Sequence, residues 1–258
     1  MSEDLLYEVK DLVAYMTINR ESRRNAISQE MITAFMKYLD RAENDVEVRA
    51  ICITGAGEKA FCSGADLSVS LSGGGVDPFS GARNYAQLLK RMAKFGKPLV
   101  ARVNGPCLAG GLGLMLSCDI VIAREDVFFC TPEVNVGIFP MMIGALIYRN
   151  VGRKKAMDMV LTARRIPAPE AERIGLITRA VKPDQLDDQV QETLKTLVSK
   201  SPIGTKIGKE AFSAMSDMPF EEAVDLLCEA LGRAISTEDA KEGMVAFLEK
   251  REPQFKGR

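Results

Sequence analysis

Two short apolar runs, RAICITG (49–55) and PLVARVNG (98–105), each end in glycine and pass into a second glycine-bearing loop, AGEKAFCSGADL (56–67) and PCLAGGLG (106–113). Runs of this length and apolarity read as buried strands, and a buried strand needs other elements packed over it. The segments around them supply that cover. LVAYMTIN (12–19) alternates apolar and polar residues as a strand does, and SQEMITAFMKYLDRAEND (28–45) places apolar residues at helical spacing behind a serine cap. A helix over about 83–95 and a strand at DIVIARED (119–126) continue the rhythm. Strand, helix, strand in succession predicts an α/β fold whose strands are joined by crossover helices.

Beyond residue 140 the pattern becomes helical, at 141–150, 153–162, 168–174, 184–200, 203–215, 219–234 and 237–250, broken by a strand at LITRAV (176–181). The Ser/Gly-rich stretch SVSLSGGGVDPFSGA (68–82) predicts a mobile loop. No internal repeat and no long linker stands out.

Composition narrows the chemistry. At 258 residues the chain can bury a sizeable core, and a net charge of −1 gives no support to nucleic acid or an acidic membrane as partner. No apolar run reaches the roughly 18 residues that a membrane-spanning helix needs, and MSEDLLYEVKD lacks the basic n-region of a signal peptide. The six cysteines (52, 62, 107, 118, 130, 228) show no CxxC spacing and read as reduced thiols of a cytoplasmic protein. There is no histidine at all, which removes Ser-His-Asp and Cys-His nucleophiles, His-ligated zinc and the commonest general base. Acid–base work must fall to carboxylates, Lys, Tyr or Cys.

The two glycine loops can do chemistry with their backbones. A helix N-terminus presents unpaired N–H groups, and glycine lets a carbonyl oxygen come close to them. One amide from each loop would form an oxyanion hole. On physics alone, tight strand–helix packing explains the same glycines better, and neither string is a nucleotide-binding fingerprint. The candidate base is Glu133, set in the apolar run FFCTPEVNVGIFPMM (128–142). Desolvation there would raise its pKa toward working pH, whereas a glutamate in a surface turn fits the string equally well.

Six segments in register resemble the crotonase (enoyl-CoA hydratase/isomerase) superfamily: NAIS (25–28), AFCSGADL (60–67), KPLVARVNGPCLAGGLGLMLSCDIVIA (97–123), TPEVNVGIFP (131–140), LTARRIPAPEAERIGLITRAV (161–181) and AFLEKREPQFKGR (246–258). The resemblance implies a spiral of ββα turns carrying the active site over 1–195. It also implies a C-terminal helical oligomerisation region, 196–258, packing as a homotrimer or a dimer of trimers. It implies an acyl-coenzyme A thioester as substrate, no cofactor beyond it, and no metal. By position, Ala65 and Gly110 are the oxyanion-hole amides and Glu133 the acid/base. Ser63, Gly64, Asp66, Leu67, Gly111, Pro132 and Met141 are implied to line the substrate, with Arg23, Arg24 and Ala26, and Phe247 and Lys250 of a neighbouring subunit, holding the CoA.

Two departures bear on the reaction. Hydratases of the family carry a second glutamate three residues after the oxyanion-hole glycine, and here that residue is Gly113. FPMMIGA (139–145) replaces a glycine-rich stretch with Met141 and Met142. Met141 also stands where dienoyl-CoA isomerases keep an aspartate, and the dehalogenase branch needs a histidine. The expected reaction is therefore double-bond isomerisation of an enoyl-CoA with one glutamate. Hydration of an unusual enoyl-CoA comes second, ahead of a decarboxylase, a hydrolase or a non-catalytic CoA-binding member.

Overall fold

Strands β2 (Val13–Ile18), β3 (Ala50–Gly55), β4 (Leu99–Val103), β6 (Ile120–Arg124) and β9 (Arg179–Val181) lie side by side in parallel, and β1 (Leu5–Lys10) closes one edge antiparallel to β2. The computed structural model of the chain describes residues 4–66 and 79–258. Leu67, and the loop expected at 68–82 up to residue 78, lie outside the described residues.

Side chains alternate along each strand, so every strand serves two cores. Ile51, Ile53, Leu99, Ala101, Val103, Val121 and Ala123 face α1 (Gln29–Asn44), α2 (Ser80–Ala93) and α3 (Gly110–Leu116), where Phe35, Leu39, Leu88, Met92 and Leu112 fill the gap. Ala50, Cys52, Val100 and Ile122 face the other way, against Leu186, Val190 and Leu194 of α7 (Leu186–Val198). Burial on both faces accounts for the unbroken apolar strings of β3, β4 and β6. Each fully buried Leu, Ile or Phe contributes on the order of 1.5–3 kcal/mol, so these paired cores dominate the stability. Helix α1 is capped as its sequence predicts, with Ser28 Oγ accepting from Met31 N at 3.0 Å. Its last turn is met by Lys97, whose Nζ donates to the carbonyls of Ala42 (2.6 Å) and Asp45 (2.7 Å), a cation at the negative end of the helix.

A second, narrower ladder runs beside the sheet. Isolated bridges pair Ile27 with Ala65 and Cys62 with Cys107. Further along, β5 (Cys107–Leu108) pairs parallel with β7 (Phe128–Cys130), which pairs antiparallel with β8 (Ile166–Pro167). Each pass of the chain therefore goes from a strand of the large sheet, to a rung of this ladder, to a helix. That is the spiral of ββα turns.

The helical remainder comprises α4 (Met141–Asn150), α5 (Arg153–Thr162), α6 (Ala168–Arg173), α7, α8 (Pro202–Met215), α9 (Phe220–Ile235) and α10 (Glu238–Glu249). The division expected between 195 and 196 falls inside α7, which lies against the sheet. Within LITRAV only Arg179–Val181 is extended; Leu176 and Ile177 are buried in the turn before it. The final residues clasp the helices. Asp239, 2% exposed, accepts from Ser201 Oγ (2.7 Å) and from the amides of Lys256 (2.7 Å) and Gly257 (3.1 Å). Arg49 reaches across from β3's start to the Phe255 carbonyl at 2.9 Å. All six cysteines are free thiols, five buried and Cys228 exposed. Among the described residues no helix is long and apolar enough to cross a membrane.

Candidate active site

The loops that follow β3 and β4 meet at Gly64. A Cβ placed there would come within 2.6 Å of Ala109 Cβ and 3.2 Å of Gly110 N, and its φ of +91° also suits glycine alone. The first loop is pinned to the turn before α1: Ile27 N donates to Gly64 O (2.8 Å) and Asp66 N to Ile27 O (3.1 Å). The Ala65 amide between them has no hydrogen-bond partner among the described residues. In the second loop, Leu108 N donates to Cys62 O at 2.9 Å and Ala109 N to Cys130 O at 3.0 Å. Ala109 adopts φ 48° and ψ −128°, a conformation that costs of order 1–3 kcal/mol for a residue with a Cβ. Directly after it Gly110 opens α3, and its N–H, like Ala65's, is unpartnered. Two free amides thus come from two adjoining loops.

Polar side chains brace the first loop. Asn25, fully buried with φ 56°, donates to the carbonyls of Ala56 (3.0 Å) and Ala60 (2.7 Å). Asn104 accepts from Gly55 N (3.2 Å) and donates back to Gly55 O (2.8 Å) and to Gly57 O. Arg20 holds Asp66 at 3.0 Å, Asp4 at 3.1 Å and the Ala26 carbonyl at 2.6 Å. These three residues were not singled out from sequence. Asn104 did carry a signal, as an amide at the end of an apolar string that has to be satisfied inside the fold, and Asn25 opens the NAIS segment.

Glu133 sits in the short 3-10 turn Pro132–Val136, entered from β7 through buried Thr131, whose hydroxyl donates to Met159 O at 3.1 Å. The residue is half-buried, yet its Oε2 is fully buried and has no hydrogen-bond partner among the described residues. Burial raises its pKa from the ordinary glutamate value, against a smaller lowering by its own backbone N–H. A desolvated carboxylate with a spare oxygen can take and return a proton. The nearby thiols offer no competing nucleophile: burial pushes Cys62 up to about 12 and Cys107 well up, so both stay protonated.

No carboxylate shares the site at residue 113. A Cβ on Gly113 would collide with Tyr85 Oη and lie 2.8 Å from Ile143 Cγ2 and 3.2 Å from Leu89 Cδ2. Tyr85, 7% exposed, donates its hydroxyl to the Gly110 carbonyl, and Glu133's charge reaches it. A cavity of about 900 Å³ opens beyond Leu89, between α2, α4 and α8, lined by Ala86, Met142, Leu146 and Ala214; neither Glu133 nor the free amides border it.

The remaining expected residues divide into two groups. Gly111 is packed against Cys62, whose carbonyl would lie 2.5 Å from a Cβ there. Ser63 N donates to Arg24 O at 3.1 Å, Ala26 is buried, and Pro132 begins the turn that carries Glu133. Arg23 and Arg24 are exposed beside this cluster. Met141, 73% exposed, opens α4 on the outside. Phe247 and Lys250 lie on and just past the end of α10, where Phe247 lines a shallow groove with Ile235, Met244 and Phe255. Within one chain those last two take no part in the site.

Residues 8–258 match the family described as Enoyl-CoA hydratase/isomerase. A short-chain-enoyl-CoA hydratase of Clostridium acetobutylicum is 36% identical, over 99% of this chain and 98% of its own. A crotonyl-CoA hydratase of Syntrophomonas wolfei is 32% identical, over 98% of each. The crystal structure of an enoyl-CoA hydratase from Bacillus anthracis superposes with a TM-score of 0.95 at 29% identity, covering 99% of this chain and 100% of that one.

Proposed function

Because the chain belongs to the enoyl-CoA hydratase/isomerase family, we propose that it hydrates a 2-enoyl-CoA, holding the thioester oxygen between the amides of Ala65 and Gly110 and moving protons with Glu133 alone. The observation that carries this is the unpartnered, buried Oε2 of Glu133 together with two unpartnered amides on adjoining loops. In the reaction, the Glu133 carboxylate takes a proton from water as the water oxygen bonds to Cβ. The C=C electrons pass through Cα to the thioester oxygen, giving an enolate that the two N–H groups stabilise. The protonated Glu133 then delivers its proton to Cα, which restores the carboxylate. The hydratase names of the relatives support placing hydration ahead of double-bond migration.

Migration is the second reading, and Gly113 favours it: with no carboxylate at residue 113, Glu133 has what is needed to lift a proton from one carbon of an enoyl-CoA and return it to another. Crotonyl-CoA hydration assayed beside 3-enoyl-CoA isomerisation separates the two, and the faster reaction identifies the function. In either case Glu133→Gln should lower kcat by about 10²–10⁴ while CoA still binds; unchanged turnover would overturn the assignment. The same variant has a pH signature. A carboxyl whose pKa is raised in the fold contributes stability below the ordinary glutamate value, and that contribution is lost as pH rises through the raised one. Thermal melts should therefore show Glu133→Gln gaining on the parent as pH rises above the ordinary glutamate value.

The exposed apolar side chains of α9 and α10, among them Phe220 (82%), Leu231 (58%), Phe247 (83%) and Leu248 (80%), form contacts between copies of this chain in the same proposal. Sedimentation equilibrium should give a trimer or hexamer, and a monomer at micromolar concentration would remove this part.

A further inference from the structure

Gly110 carries one of the two free amides, yet glycine has the least preference of any residue for where that amide points. Its direction must be set from outside, and three bonds do so. On the N-terminal side, Ala109 N is tied to Cys130 O at 3.0 Å, and Ala109 O, in the same peptide plane as the Gly110 N–H, accepts from Leu112 N at 2.9 Å. On the C-terminal side, the Gly110 carbonyl receives the Tyr85 hydroxyl. Tyr85 comes from α2, a different turn of the spiral, and is 7% exposed. A tyrosine hydroxyl has a single proton to give, and this one goes to Gly110. Burial raises the Tyr85 pKa well above the ordinary tyrosine value, with the charge of Glu133 adding to it, so the donor stays protonated at any working pH. The same oxygen fills the space where a side chain on residue 113 would begin.

We propose that Tyr85 is a positioning residue for the reacting thioester: its hydroxyl clamps Gly110 so that the N–H aims at the thioester oxygen, and its place beside Gly113 is what excludes a second carboxylate there. This rests on the oxyanion-hole reading of Ala65 and Gly110. Hydrogen bonds weaken steeply when misaligned, so a loosened Gly110 loses transition-state stabilisation while the rest of the CoA contacts persist.

Tyr85→Phe keeps the ring in the core and deletes only the hydroxyl. With crotonyl-CoA as substrate, kcat should fall about tenfold, below the 10²–10³ lost when an oxyanion donor is removed outright, with KM little changed. The decisive readout is the thioester C=O stretch of bound butanoyl-CoA, a saturated probe that cannot turn over, followed by isotope-edited infrared difference spectroscopy. The unaltered protein should pull that band to lower frequency, and Tyr85→Phe should lose part of the displacement. Gly113→Ala crowds the same hydroxyl from the other side and should cause the same loss, so the test survives if one variant fails to fold. A probe band that stays at the parental frequency in the variants, together with parental kcat, overturns the role of Tyr85. The band does not involve Glu133. Full activity of Glu133→Gln would therefore sink the single-base reading and leave the Tyr85 result standing on its own.

Discussion

The two loops that meet at Gly64 present the same kind of group, a free amide, but hold it by opposite means. The loop after β3 is braced by polar side chains: Asn25 and Asn104 satisfy its carbonyls, and Arg20 ties Asp66 down. Its Ala65 is exposed. Among the described residues, the loop after β4 has no side-chain brace except Tyr85. It leads into α3, whose residues from Gly111 to Leu116 are all buried, and it stores its precision as strain at Ala109. Buried loop carbonyls have to be met by protein donors, which Asn25 and Asn104 supply, whereas a loop opening into an apolar core is fixed mainly by packing. Different substitutions should therefore break them.

The largest effect is expected at the joint. Gly64→Ala forces a Cβ against Ala109 and the Gly110 amide at positive φ, and should cost about 3 kcal/mol or more, seen as a large fall in the denaturant midpoint. Adding Ala109→Gly removes the atom 2.6 Å away, so a double-mutant cycle should recover part of that cost; strict additivity would show that the loops do not press on each other there. Next in size, Arg20→Met leaves Asp66 and Asp4 without their half-buried cation and should cost about 1–3 kcal/mol. The loss should shrink in high salt, which screens a polar brace and leaves a packed loop untouched. The smallest change is Ala109→Gly alone. Relief of strain opposes the greater freedom of glycine in the unfolded chain, so stability should rise by no more than about 1 kcal/mol, while kcat falls because Gly110 is held less firmly. A rise in both would mean that the strained peptide plays no part in aiming the amide.

The sequence made the long elements legible and hid the short ones. Helices α4 and α5 fall where the 3.6-residue periodicity puts them, at 141–150 and 153–162. Strands β5 and β8 have two residues each and β7 has three, too few to show any period, so the second ladder could not be seen although it carries the site. Edge strand β1, LLYEVK, shows only a weak alternation. For the site itself, the apolar setting of Glu133 and the density of small residues left a surface turn and plain packing open, and only the resemblance singles out Glu133, Ala65 and Gly110. Tyr85 gave no such sign. It looks like one more apolar position of an amphipathic helix, and its partners Gly110 and Gly113, 25 and 28 residues further along, reach it only through the turn of the spiral.

That second ladder has a consequence for how such a protein can change over evolutionary time. Ala65, Cys107 next to the Gly110 loop, and β7 leading to Glu133 stand on successive rungs, each delivered by a separate turn and backed by a separate helix. A lineage can therefore rewrite the chemistry on one rung without redrafting the others. Gly113, with the Tyr85 hydroxyl from the preceding helix in the space where its side chain would begin, is the kind of local variation this layout permits.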